Sequence, residues 1–266
     1  METKNDRAAW LRGGNAHCST LPNPQVHTRR FVLLGAPGVG KGTQAAMLGD
    51  YFKTCHLSTG DIFRATKSCP QKDVTVAMAG ALDFMARGEL VPDETVLQIV
   101  AERSQCLKCW GGFLLDGFPR TVVQALALER LLEKLRIRLD AVLDYKLPLK
   151  TIINRLSGRR TCPNCKAVYH IQSLPPKVEG ICDHCGGILY QRDDDRPESI
   201  RIRMDAYQKN AGPLKRFYRR RNLLVTIAAA GTPEGTFQRT LEALNTRLPE
   251  ESKENASSPS TVLCSN

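Results

Sequence analysis

The stretch Gly35-Ala-Pro-Gly-Val-Gly-Lys-Gly-Thr43 constrains this chain more than any other. It follows the apolar run Phe31-Val-Leu-Leu34 and leads into a segment of helical character. Glycines leave a backbone free to adopt positive φ and to curl its N–H groups around an anion, and a helix start immediately after adds positive potential. In such a loop Gly38, Val39, Gly40, Lys41, Gly42 and Thr43 are the candidate phosphate contacts. Lys41 would reach the outer phosphates, and Thr43 a magnesium ion.

Four further apolar runs, Cys55 to Leu57, Phe113 to Leu115, Ala141 to Tyr145 and Leu223 to Ile227, alternate with helical patterns. Five buried strands joined by helical crossovers imply an α/β fold, with a five-stranded parallel sheet covered by helices on both faces. A chain of 266 residues, 42% of them hydrophobic, is long enough to bury that core. Residues 1–28 and 249–266 lack apolar periodicity and read as flexible extensions on either side of a domain at 29–248. From Pro148 onward, Leu149, Ile152, Ile153 and Leu156 fall on one helical stripe. Arg155 and Arg159 are four apart, which predicts that they project from one helix within about 40° of each other.

No apolar run approaches the ~20 residues of a membrane span. The first 30 residues have no apolar signal region, so the expected location is the cytoplasm. A formal charge of +11 suits polyphosphate ligands, but it suits nucleic acid equally and does not choose between them. Ten cysteines in such a chain argue against a disulfide framework and for metal or isolated thiols. Cys162-x2-Cys165 and Cys182-x2-Cys185 have the separation expected of a four-cysteine zinc site. Four thiolates leave no ligand place open, so that zinc would be structural, stapling a subdomain too small for its own core. Gly180 and Gly186-Gly187 supply turn freedom, and His170 and His184 read as bystanders. Cys106-x2-Cys109 has no partner pair and reads first as a loop coincidence, with a redox role as the alternative.

Three more segments carry a family resemblance: Ser58-Thr-Gly-Asp-Ile-Phe-Arg64, Arg87-Gly-Glu-Leu-Val-Pro-Asp-Glu94 and Asp116-Gly-Phe-Pro-Arg-Thr121, with Gln124 after. With the G-x-P-G-x-G-K-G-T-Q loop and the cysteine spacing, roughly residues 30 to 248 resemble adenylate kinase of the long-lid, zinc-binding type. The resemblance implies the P-loop nucleoside monophosphate kinase fold, with an AMP-binding subdomain at 58–95 and a zinc lid at 158–196. It also implies reversible transfer of the terminal phosphoryl of Mg·ATP to AMP by a monomer that meets neither nucleic acid nor membrane.

By that resemblance Thr59, Arg64, Glu89, Leu90, Val91, Gly117, Phe118, Pro119 and Arg120 would hold AMP, and Gln124 would read its adenine edge. Arg155 and Arg159 would clamp ATP, with Val168, Tyr169 and the loop at Pro233 beside it. Arg192 and Arg203 would reach the AMP phosphate and the transferring group, and Asp194 and Asp195 would latch the closed lid. Lys41, Arg120, Arg159, Arg192 and Arg203 would supply the catalytic charge, and Asp116 would orient magnesium through water. The chain departs from the family around Lys67 to Lys72, where it is a few residues longer and Pro70 should interrupt a helix. Two other readings share the phosphate loop. One is a kinase of UMP, CMP or GMP, against which the long lid and Gln124 argue. The other is a zinc-ribbon ATPase acting on nucleic acid, which leaves Asp116 to Arg120 and the lid arginines unexplained.

Overall fold

The computed structural model describes residues 10–11, 28–66, 76–109 and 111–248. Its centre is a parallel sheet of five strands: β1 (Arg29–Gly35), β2 (Cys55–Ser58), β3 (Gly112–Asp116), β4 (Ala141–Lys146) and, near the C-terminal end, a strand at Leu224–Ala228. In space β2 forms one edge, followed by β3, β1, β4 and the Leu224–Ala228 strand. Alternation along β1 is why both faces are covered. Val32 and Leu34 enter one core with Leu57, Phe113, Leu115 and Val142. Phe31 and Leu33 enter the other with Leu114, Leu143 and Tyr145, as the period of two requires.

Two helices, α1 (Lys41–Phe52) and the C-terminal helix Pro233–Arg247, cover the second face through Ala45, Leu48 and Leu244. The first face carries α2 (Thr59–Thr66), α3 (Val76–Arg87), α4 (Asp93–Glu102) and α5 (Val122–Lys134), and also the long helix Pro197–Arg220. Thr121 caps α5 by accepting from the Gln124 amide, which satisfies a helix-start donor. Because β3 and β4 flank β1 on opposite sides, the loops leaving β1 and β3 meet at a topological switch point. Open α/β sheets bind their ligands there.

The small cysteine-bearing segment, expected as a lid, begins where α6 (Leu149–Ser157) ends. Here the expectation from sequence needs correcting: Arg155 is helical, but Gly158 stops the helix and Arg159 opens β5 (Arg159–Thr161), which pairs antiparallel with β6 (Val168–His170). Ile152 and Leu156 of the predicted stripe are buried, whereas Leu149 and Ile153 are exposed, because the helix contacts its core along a narrow seam. After the lid the chain enters α7, the helix Pro197–Arg220, then β7 (Leu224–Ala228) and α8 (Pro233–Arg247).

The N-terminal stretch also differs from expectation at one point. Trp10 is only 1% exposed and belongs to the core beside Ile62, Phe63 and Ile99. A lone indole can bury a large apolar area without producing any periodicity in sequence. The extra residues at Lys67 to Lys72 and the tail at 249–266 lie outside the described residues.

Gly112, at the start of β3, takes φ +83, and a Cβ there would collide with the Arg29 carbonyl of the neighbouring strand. Gly112→Ala is expected to lower the unfolding free energy by at least about 2 kcal/mol in urea titration. An unchanged midpoint would refute the close approach.

Candidate active site

The chain leaving β1 turns at Gly38 (φ +77) and Gly40 (φ +106) before α1 starts at Lys41. A Cβ at Gly38 would press on the Leu156 side chain, so the turn depends on glycine twice over, for space and for φ. Lys41 Nζ donates to the carbonyls of Gly35 (2.8 Å) and Ala36 (3.0 Å), which holds the ammonium over its own loop. Burial, with the like charges of Arg120, Arg203 and Arg159, outweighs the attraction of Asp116 and pushes its pKa down to about 8. Gly42 and Thr43 are exposed on the first turn.

Asp116 ends β3 beside Ser58 of β2, with Oδ2 3.4 Å from His56 Nε2. Burial opposes its ionisation, but His56 and Lys41 prevail and hold the carboxyl below its ordinary range. An ionised oxygen donor of this kind, beside the first turn of α1 where a Cβ on Gly42 would lie 3.9 Å from Asp116 Oδ2 and Thr43 is the next residue, fits the preference of magnesium for hard oxygen ligands.

Beyond β3 a pocket of about 310 Å³ is lined by Thr59, Phe63, Met85, Leu90, Val91, Val96, Gly117, Arg120 and Gln124. Gln124 is buried and already engaged. Its Nε2 donates to Asp93 Oδ1 (2.7 Å), and its Oε1 accepts from the Arg120 amide (2.8 Å). Asp93 also accepts from the Thr121 hydroxyl at 3.0 Å, so it fixes which way the glutamine amide faces. Arg64 is paired with Asp61 at 2.6 Å. Glu89 is turned outward, paired with Arg87, and the Phe118 ring is packed into the core rather than into the pocket.

A larger cleft of about 720 Å³ joins this pocket to the phosphate loop, lined in part by Lys41, Gly117, Pro119, Arg120 and Arg203. Arg159 forms a two-pronged bond to Asp195 (2.7 and 2.6 Å), and Arg203 reaches Asp194 Oδ2 (2.9 Å) and Asp195 Oδ1 (3.3 Å). Asp195 is fully buried between them. Arg192 donates to the Thr161 hydroxyl at 3.0 Å, and burial together with Arg159 and Arg64 pulls its pKa below the usual arginine value. Arg120 projects into the open cleft, where solvent still reaches it. The protein mass around it and the charge of Arg203 nevertheless lower its pKa as well. Among the described residues, six cations (Lys41, Arg64, Arg120, Arg159, Arg192, Arg203) thus face four carboxylates (Asp61, Asp116, Asp194, Asp195). The balance favours an anion.

On the far side of the loop, Arg155 spans from the Val39 carbonyl (3.4 Å) to the Gly231 carbonyl (3.3 Å). Gln44 donates to the Pro233 carbonyl at 2.8 Å, tying that turn to α1. The predicted neighbours Val168 and Tyr169 divide. Val168 is exposed, while the Tyr169 ring is buried in the lid, with its hydroxyl accepting from the Asp183 amide at 2.8 Å.

The Sγ atoms of Cys162, Cys165, Cys182 and Cys185 all lie within 4.8 Å of one another. The shifts within the cluster oppose each other. Burial resists ionisation of Cys182, yet the Tyr169 hydroxyl and nearby amides hold it at about 6. Burial and its thiol neighbours push Cys165 up to about 12. Four thiolates so close ionise together only around a cation, which suits a tetrahedral soft-metal site. His170 stands aside as expected: Nε2 contacts the Asn154 carbonyl (3.1 Å), and Nδ1 accepts from Gln172 and Ser173. Cys109 has a thiol neighbour on β2. Its Sγ is 3.0 Å from that of Cys55, a proximity that a CxxC count alone does not reveal.

A family model described as adenylate kinase matches residues 33–223. The chain belongs to the adenylate kinase family. It is 45% identical over 215 residues to an adenylate kinase of Carboxydothermus hydrogenoformans, covering 81% of this chain and 99% of that protein. Adenylate kinases of Caldicellulosiruptor saccharolyticus and Streptomyces coelicolor are each 46% identical, over 81% of this chain and 98% of theirs. These relatives are thus matched over nearly their whole length, while about a fifth of this enzyme lies outside the match. Among the described residues no helix is long and apolar enough to cross a membrane.

Asp93, His56 and Asp61 shape this kinase's site without having stood out in sequence. Each acts by orienting a neighbour, and such a role leaves no spacing signature. The depressed pKa of Lys41 is directly measurable by side-chain NMR titration of the ligand-free enzyme. A value near 8 is expected, and Asp116→Asn should lower it further by removing the favourable charge. A value near 10.5 would contradict the crowding described.

Proposed function

We propose that this enzyme transfers the terminal phosphoryl group of Mg·ATP reversibly to AMP, giving two ADP, and so balances the adenine nucleotides of the cytoplasm. The observation that carries this reading is the excess of cations around one cleft, contributed by the phosphate loop, the β3 loop, α2 and the lid. Phosphoryl transfer asks little covalent help of a protein. Its rate comes from in-line positioning and from neutralising charge on the phosphate oxygens.

In this reading Gly38 to Thr43 cradle the donor phosphates, and Lys41 holds its proton against their outer oxygens. Arg155, bridging Val39 and Gly231, covers the donor base together with the turn at Pro233. Any contribution from Val168 and Tyr169 runs through Val168 or the backbone, since the Tyr169 ring belongs to the lid interior. Thr59, Arg64, Leu90, Val91, Gly117 and Gln124 form the acceptor pocket. Gln124 has one N–H and one lone pair left for a base edge after bonding Asp93 and Arg120. Arg120, Arg159, Arg192 and Arg203 converge on the transferring group. Arg159 and Arg203 arrive carrying Asp194 and Asp195, so the phosphates compete with those carboxylates as the lid closes.

Thr43 and Asp116 would hold magnesium with the donor nucleotide, where it neutralises phosphate charge. The four lid cysteines would hold a structural zinc. The lid's closure excludes water that would otherwise hydrolyse ATP. The enzyme works as a monomer, with nucleotides rather than nucleic acid as its partners.

ADP formation with Mg·ATP and each of AMP, UMP, CMP and GMP tests the assignment. Fast turnover is expected with AMP alone, and preference for another acceptor would reassign the substrate. Lys41→Met should lower kcat/KM by about 10³ or more. Because Lys41 must be protonated to meet phosphate, kcat/KM for ATP should fall as pH rises through about 8. A flat profile to pH 9.5 would count against that role. Metal analysis should find one zinc per chain, lost in Cys165→Ser together with part of the thermal stability. Retention of full metal content in that variant would exclude the cluster as the ligand set.

A further inference from the structure

Trp10 precedes the region matched by the family, which begins at residue 33, yet it is built into the fold on three counts. Its ring is 1% exposed within the core that includes Ile62, Phe63, Ile99 and Leu107. Its indole Nε1 donates to the Ser58 carbonyl at 3.0 Å, in a buried bond across 48 residues of sequence. Its own carbonyl accepts from Arg103 Nε at 2.8 Å.

The two hydrogen bonds lead to opposite walls of one pocket. Ser58 is the last residue of the edge strand β2, and its hydroxyl accepts from the Asp61 amide at 3.2 Å, capping the start of α2. The next residue is Thr59, and α2 carries Phe63 and Arg64 as well. On the other wall Arg103, itself buried, also donates to the Ile99 carbonyl at 3.2 Å. Ile99 lies on α4, the helix that supplies Asp93 and Val96. Without the Trp10 indole the Ser58 carbonyl would lose a buried partner and the core a large ring, and the backbone carbonyl that Arg103 Nε bonds would lose the side chain that anchors it. Unsatisfied buried groups of this kind are costly, so the walls would shift to recover water or other partners.

We propose that Trp10 is a positioning residue for the acceptor pocket, fixing the spacing of α2 and α4 through Ser58 and Arg103. The inference rests on reading that pocket as the AMP site. It gives the N-terminal segment a role in acceptor affinity.

The test uses the full-length chain with Trp10→Phe, which keeps an aromatic ring but lacks the N–H, and Trp10→Ala. Steady-state KM values for AMP and for ATP, kcat, and melting temperature are measured together. Trp10→Phe is expected to raise KM for AMP about 3- to 10-fold, the range of one buried hydrogen bond, with KM for ATP and kcat within about twofold. Trp10→Ala should raise KM for AMP further. If Trp10→Ala does not fold, Trp10→Phe decides alone. An unchanged KM for AMP in a folded Trp10→Phe protein would overturn the proposal. So would equal rises for both nucleotides accompanied by a lower melting temperature, since that marks general destabilisation. If the wild-type enzyme prefers another monophosphate, the substrate assignment fails in the wild type, and the Trp10 effect is read on that acceptor instead.

Discussion

The buried carboxylate of Asp195, gripped by Arg159 from the lid and Arg203 from α7, is the contact on which the geometry of the site depends. Burying an ion costs several kcal/mol unless its partners are well placed, and removing one partner of such a group is worse than never having built it. Both arginines are therefore held where their guanidinium groups meet one carboxylate, Arg159 from within the cysteine-bearing segment and Arg203 from α7 outside it. That arrangement also limits how tightly the lid is closed by its own contacts. Phosphate oxygens are chemically equivalent competitors for the same forks, so a nucleotide can replace the aspartates without the arginines having to find new positions.

The crowding of like charge has a second consequence. Lys41, Arg120 and Arg192 all have pKa values below their ordinary ranges, burial being the first cause in each case. A site with surplus positive charge in low dielectric stores electrostatic stress that an anion relieves. Relief is greatest where negative charge is densest, at the transferring group, and stabilisation that grows along the reaction coordinate is what accelerates a reaction. The carboxylates present keep the empty site from being prohibitively unstable. Their incomplete neutralisation keeps it receptive.

Much of this was legible in the sequence because the responsible residues are constrained by backbone geometry. The phosphate loop needs glycine where φ is positive, as at Gly38 and Gly40, and two CxxC turns at this spacing can bring four Sγ atoms to one place. The strands announced themselves because a sheet buried on both faces demands continuous apolar runs. What stayed hidden were relations between distant side chains. Asp93 orients Gln124, His56 lies against Asp116, and Cys55 touches Cys109, each joining elements whose proximity only the folded topology creates. The four-residue spacing of Arg155 and Arg159 says nothing about where the helix stops, and Gly158 stops it before Arg159. Trp10 leaves no trace in the pattern because one aromatic in a polar stretch carries no periodic signal, although its large apolar area makes burial favourable wherever a matching hole exists.

The segment that carries the four cysteines illustrates where a metal would suit a small subdomain. Its buried apolar cluster comprises Cys162, Tyr169, Cys182 and Leu189, far short of a self-sufficient core, and Val178, Ile188 and Leu174 are left on its surface. A subdomain this small held together by packing alone would unfold locally each time it swung away from the body. A cation held by the four cysteines, as proposed, would supply strong bonds internal to this segment that do not depend on how it sits against the body. Rigidity within the lid is thereby separated from adhesion to the rest of the enzyme. The contacts that cross from this segment to the rest of the enzyme, chiefly those of Arg203 on α7 with Asp194 and Asp195, would then be free to exchange for substrate.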